Sequence, residues 1–269
     1  MKDYGKGYLN FRGIGEISVA EWAYGCYGPF MDWIDRGIVL TARKHGETSL
    51  IVSLLTEFHG RHAGLVRGGA GRRNRGLYQP GNLVSARWRG RLAEHLGTYS
   101  CEILDAGAAS LLNRPLELAA LQSAAALTEL SLPDRENHHN IFNGLSILFK
   151  TLQEVETWLV VYVKWELGLL KELGFELDLS QCAATGTTED LAYVSPKTGR
   201  AISRLAGDPY RNVALTLPPF LVDPDATSDP TDIYNALRLT GYFLERHVFG
   251  EVGAPPARQR LISRIRGTV

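Results

Sequence analysis

Cysteine is scarce in this chain: Cys26, Cys101 and Cys182 are the three in 269 residues, odd in number and far apart. They offer no disulfide framework and no paired metal-ligand spacing, which suits a reducing compartment. Long apolar runs are missing too. "WLVVYV" (158–163) is only six residues long, against the roughly 18 that suggest a membrane span. The N-terminal segment mixes charge with glycine and has no apolar h-region, so it does not read as a secretory signal. The expectation is a cytoplasmic protein with no membrane partner. Catalytic signatures are absent as well: there is no G-x-S-x-G, no H-E-x-x-H and no C-x-x-C. Histidines 45, 59, 62, 95, 138, 139 and 247 are scattered, and "DRENHHN" (134–140) reads as a polar linker and capping segment rather than a metal site.

Net charge is also lacking, but only in the sum. From Arg36 to Arg91 there are eleven Arg/Lys against two acids, a balance of +9; from Leu92 to Ala257 the balance is −11. Arg258, Arg260, Arg264 and Arg266 make the tail basic again. Such asymmetry points to an anion-binding module beside an acidic body. Ten of the eleven cations are arginine, the side chain suited to bidentate phosphate contacts. They are densest in "RGGAGRRNRG" (67–76), with four arginines, four glycines and no acid. It is no P-loop, since no Gly-Lys-Ser/Thr follows. It reads instead as a flexible loop whose guanidinium groups track a polyanion.

Residues 1–30 show no clear period and read as a disordered extension or a start-site artefact, because Met31 opens the first patterned segment. Five short strands follow: "GIVLTAR" (37–43), "LIVSLLT" (50–56), "HAGLVRG" (62–68), "NLVSARWRGR" (82–91) and "HLGTYSCEIL" (95–104). Five strands in about seventy residues is the count of an OB-fold barrel. Alternation places Val84, Ala86 and Trp88 on one face and Ser85, Arg87 and Arg89 on the other. The arginine face is expected to continue the loop's positive surface. Tyr78 and Trp88 are the nearest stacking aromatics, with core packing the expected role for Trp88.

Near residue 107 the character becomes helical. Segment 115–130 has proline at a first helical position. Segment 141–174 keeps apolar residues at helical spacing from Phe142 to Leu170 and ends at Gly174. Segment 231–250 repeats the pattern, with Thr231 or Asp232 as N-cap and Gly250 as stop. Between the last two lies an irregular stretch with turns and a short hairpin. The expectation is therefore an α+β multidomain chain: an OB-fold barrel over 31–107, then a helical domain over 108–269 with an irregular insert at about 178–218.

The runs "GIVLTARKHGETSLIVSLLTEFHGRHAGLVRGGAGRR", "LYQPGN", "WELGLLKELGFELDLSQCAATG" and "YVSPKTGR" resemble the bacterial RecO family of recombination mediators over about residues 31–260. The resemblance implies a non-enzymatic protein that binds single- and double-stranded DNA and anneals strands. It also implies partnership with RecR and single-stranded-DNA-binding protein in loading RecA, in a nucleoid-associated setting. Candidate DNA contacts are Arg36, Arg43, Lys44, Arg67, Arg72, Arg73, Arg75, Tyr78, Arg87, Arg89 and Arg91. Trp158, Val161 and Trp165 fall off the main helical seam, and with Lys164 and Lys171 they form a candidate groove for a partner's aromatic-ended tail. Some family members hold zinc with four cysteines in the region matching 182–207, making the insert a degenerate zinc ribbon here. Only Cys182 remains, with Ser195 and Gly199 where other ligands would be sought, so no zinc and no cofactor are expected. Read from the residues alone, an OB-type RNA-binding protein of translation or RNA processing stays open, because backbone contacts do not reveal the sugar. A hydrolase using the imidazole cluster is the third reading.

Overall fold

The computed structural model describes residues 31–72, 74, 76–155 and 157–267. The segment 1–30 and the candidates Arg73 and Arg75 lie outside the described residues. Strand β1 (Met31–His45) pairs with two neighbours in succession. Its first half runs antiparallel to β4 (Leu83–Gly90) and its second half to β2 (Ser49–Thr56). At about 3.3 Å per residue a strand of 15 residues outruns a small barrel wall unless it bends. A register slip between Val39 and Thr41 accompanies the hand-over. β3 (Gly60–Val66) and β5 (Thr98–Asp105) complete a closed barrel in the order β1-β2-β3-β5-β4. A parallel bridge between Leu65 and Thr98 shuts it.

The barrel interior is packed. Val39, Val52, Leu54, Val84, Ala86 and Trp88 are fully buried, so ligands must bind outside. The alternation read for residues 84–89 holds, with Arg87 and Arg89 facing solvent and Trp88 in the core. His62 lies beside Trp88 and Tyr99 with its ring nitrogen 3.2 Å from the Tyr99 hydroxyl. Burial, aided by the nearby Arg135 charge, pushes its pKa from 6.5 down to about 4. The unfolded chain therefore binds the extra proton as pH drops from about 6.5 to 4, and stability falls across that window. Between pH 7 and pH 5 the expected loss from His62 is at most about 2 kcal/mol, less where water reaching the half-buried Trp33 screens the site. Urea unfolding of wild type and His62→Gln at both pH values reads this as a difference, and equal losses would refute it.

The helical region begins with α1 (Pro115–Ser131), proline in its first turn. The apolar period from 141 to 174 does not make one helix. It splits into α2 (His139–Glu154) and α3 (Trp158–Glu172), with Val155 in extended backbone. An unbroken helix of that length would reach about 50 Å, beyond what one core covers; the break folds two apolar faces onto each other. α4 (Pro230–Leu244) starts at Asp229, not at Thr231 or Asp232. The Asp229 side chain accepts from the Asp232 backbone, and Asp232 returns the bond as a capping box. The tail forms a helix α5 (Pro256–Arg266) that carries the charge pattern but was read only as a basic run. In the insert, β6 (Leu191–Val194) and β7 (Ala201–Ser203) form the expected hairpin, with β8 (Leu215–Thr216) on the other side of β6.

Barrel and helices share one core. Ile38, Leu40 and Leu55 pack in the same cluster as Leu121, Phe142 and Leu145. Above it, the Ser53 hydroxyl donates to Glu129 at 2.6 Å, and Arg61 bridges Glu129 and Asp134. Gly60, with φ of +66°, sits so close to the Glu136 carbonyl that a Cβ would lie 1.9 Å from it. A glycine is required at that junction.

Candidate nucleic-acid interface and peptide groove

The first candidate surface is the barrel rim where β1 turns into β2. Register aligns Lys44 with Leu50 and Leu50 with Val66, so Lys44 and the start of the Gly/Arg loop lie at one edge. The Ala70 amide donates to the Thr48 carbonyl at 2.9 Å and ties the loop to the β1–β2 turn. Arg43 is exposed, 3.8 Å from Glu129. Lys44, Arg67, Arg72 and Arg91 are exposed, and none pairs with a carboxylate among the described residues.

The loop is more ordered than its glycines suggest. Turn bonds link Gly71 to Gly68, Asn74 to Gly71 and Leu77 to Asn74, and the Asn82 side chain holds the Gly76 and Leu77 carbonyls. Gly68 takes φ of +69°, and a Cβ on Gly69 would meet Val66 at 2.8 Å. These glycines shape turns; they do not leave the described backbone free. Tyr78 is not a stacking platform. It is 6% exposed, inside the barrel cluster, with its hydroxyl on Cys101. Burial pushes the Cys101 thiol up to about 12.

Three further candidates are otherwise engaged. Arg36 pairs with Glu57 and lies 5.7 Å over the Phe142 ring, joining barrel to helices. Arg87 and Arg89 both bond Asp32, and the Arg87 guanidinium holds the Asp32 carboxyl below the usual carboxylate range. Across β5 they approach the loop's start: Arg89 is level with Thr98, and Thr98 with Leu65 of β3, two positions before Arg67. Alternation alone cannot show that Asp32 takes up their charge, because it takes the β1–β4 register to bring the three together.

The second surface lies between α2 and α3. A groove of about 400 Å³ is lined by Ile141, Gly144, Ile147, Val161, Lys164, Trp165, Gly168 and Lys171, among others. It unites four of the five residues singled out for partner binding. Trp158 is the exception: at 3% exposure it belongs to the main core. Sequence reasoning missed Gly144 and Gly168. The signal was their place inside helices, where glycine costs up to about 1 kcal/mol against alanine.

In the insert, the Cys182 thiol sits among hydroxyl-bearing neighbours. Its sulfur accepts the Ser203 amide at 3.2 Å. Burial opposes ionisation, but bonds from Ser203, Thr185 and the Ala184 amide prevail and bring its pKa to about 6. Ser203 and Thr185, not Ser195 and Gly199, are thus its partners. No group of three His, Cys, Asp or Glu placed to hold a metal ion occurs among the described residues. One sulfur with two alcohols does not fit a tetrahedral zinc site.

A closed five-stranded barrel with a cationic rim, carried on a helical body, is the plan of an OB-fold binding protein. The sequence comparisons are more particular. Residues 31–106 match the model "Recombination protein O N terminal" and residues 112–255 match "Recombination protein O C terminal". The chain belongs to the RecO family. A DNA repair protein RecO of Rhodospirillum centenum is 52% identical over 240 residues, 88% of this chain and 95% of the relative. Those of Mesorhizobium japonicum and Rhodospirillum rubrum are 46% and 47% identical, over 88% of this chain and 94% and 97% of theirs. No helix among the described residues is long and apolar enough to cross a membrane.

Proposed function

We propose that this chain is a non-enzymatic DNA repair mediator that binds single- and double-stranded DNA, promotes annealing and acts with RecR and single-stranded-DNA-binding protein upstream of RecA. The observation that carries the reading is the unpaired cationic rim, with Lys44, Arg67 and Arg72 beside one another and the body acidic. Annealing requires that two repelling strands be neutralised while their bases stay accessible, and dispersed arginines do this without a catalytic constellation. Arg43 and Arg91 add exposed charge to that surface, and Arg73 and Arg75 are further proposed contacts from the same run of sequence. Arg36, Arg87 and Arg89 are secondary contacts at most, being already engaged. The α2–α3 groove takes the acidic, aromatic-ended tail of single-stranded-DNA-binding protein, with Lys164 and Lys171 at its edge. The setting is cytoplasmic, on the nucleoid.

Annealing of complementary oligonucleotides by the purified chain, with matched DNA and RNA competitors, tests the reading. Accelerated annealing with DNA competing at least as well as RNA is expected. Preference for RNA without annealing would favour the RNA-binding alternative.

A further inference from the structure

In the groove wall, the indole nitrogen of Trp165 has no hydrogen-bond partner, although the residue is only 6% exposed. A buried donor left unpaired costs about 1–3 kcal/mol, and such groups call for an explanation. The ring edge faces Gly144: a Cβ placed there would lie 3.4 Å from Trp165 Cδ1 and 3.9 Å from Nε1. Across the groove, a Cβ on Gly168 would meet nothing within 4 Å. Glycine at both positions keeps the floor low enough for an incoming main chain to lie close to the indole. The Glu172 carboxylate is occupied by His138 and Asn140, and Lys171 bonds Glu176. That leaves Lys164 exposed as the unpaired cation of the groove among the described residues.

We infer that Trp165 Nε1–H is the specificity donor of the groove. It donates to a main-chain carbonyl of a carboxylate-bearing apolar tail, while Lys164 meets the tail's carboxylate at the rim. The division follows from solvation. A neutral buried N–H is matched by a neutral carbonyl, whereas a carboxylate keeps its water by staying beside the lysine. The inference rests on the groove's reading as the tail site and names the atom that selects a peptide over a merely greasy ligand.

The test uses the full chain and a synthetic peptide of the C-terminal tail of single-stranded-DNA-binding protein, with and without a C-terminal amide, measured by fluorescence polarisation. Trp165→Phe removes the N–H together with part of the ring. So 3-benzothienylalanine incorporated at position 165, which keeps the bicyclic shape and replaces only the N–H by sulfur, is measured beside it and must show the same loss. Circular dichroism and melting temperature show that both fold. Affinity should fall about fivefold, or about 1 kcal/mol. The amidated peptide should lose affinity separately, and the two losses should multiply. In ¹⁵N spectra, the indole resonance missing from Trp165→Phe should move downfield when wild type takes up peptide. Equal affinity of wild type and Trp165→Phe, or losses that fail to multiply, overturns the assignment while the groove's reading stands. No binding of either peptide by wild type overturns both.

Discussion

Arg258→Met is expected to destabilise the chain by about 3–5 kcal/mol, the usual result of leaving one member of a buried ion pair behind. Arg258, at 2% exposure, comes from α5 and meets Glu166, at 0%, from α3. Its Nε donates to one Glu166 oxygen at 2.7 Å and its Nη2 to the other at 2.9 Å. The same Nη2 also donates to the Leu237 carbonyl of α4, and the Thr240 hydroxyl donates to Glu166. Burial alone would weaken the Arg258 charge, but the adjacent Glu166 carboxylate holds it protonated. Methionine leaves that carboxylate with the hydroxyls of Thr240 and Tyr162 as its side-chain partners and no cation beside it. The double variant Glu166→Leu/Arg258→Met should recover most of the loss, because apolar replacement of a whole buried pair is often neutral. Denaturant unfolding of the three chains decides it. A single variant as stable as wild type would show that the carboxylate finds another partner.

A change of comparable size is expected in DNA binding when the loop loses its cations. With Arg72→Ala, Arg73→Ala and Arg75→Ala combined, the log–log salt slope for single strands should shrink by about two units, at ~0.7 per lost phosphate contact. The fold should survive, since Arg72 is exposed and makes no ion pair among the described residues. Arg87→Ala with Arg89→Ala is the matched control. Asp32 already neutralises part of that pair's charge, so removing it should shift the slope by less than half as much. A slope unmoved by the loop variant, or moved more by the control, would place the DNA elsewhere.

Much of the barrel was legible because strand alternation and turn residues are local. The period of two in Val84, Ala86 and Trp88 dictates which side chains are buried whatever the partner strand. The same locality made the cationic loop conspicuous. It also made the family resemblance readable, and the two family models match the same barrel and helical regions. Long-range pairing was not legible. Only the β1–β4 register shows that Arg87 and Arg89 share Asp32.

By itself the sequence determined the five barrel strands and the helical region after them, the charge asymmetry, the shortage of cysteine ligands and four of the side chains that line the helical groove. Tertiary structure decided which charges are free. Arg258 looks like part of a basic tail, yet it is buried against an acid 92 positions away. Tyr78 looks like an exposed turn aromatic, yet it fills the barrel. Tertiary structure also divided one apolar period into α2 and α3 and so opened the groove, leaving Trp165 with its donor unpaired. The reason is physical. Propensity and periodicity act within a few residues, whereas burial and ion pairing depend on contacts between residues distant along the chain.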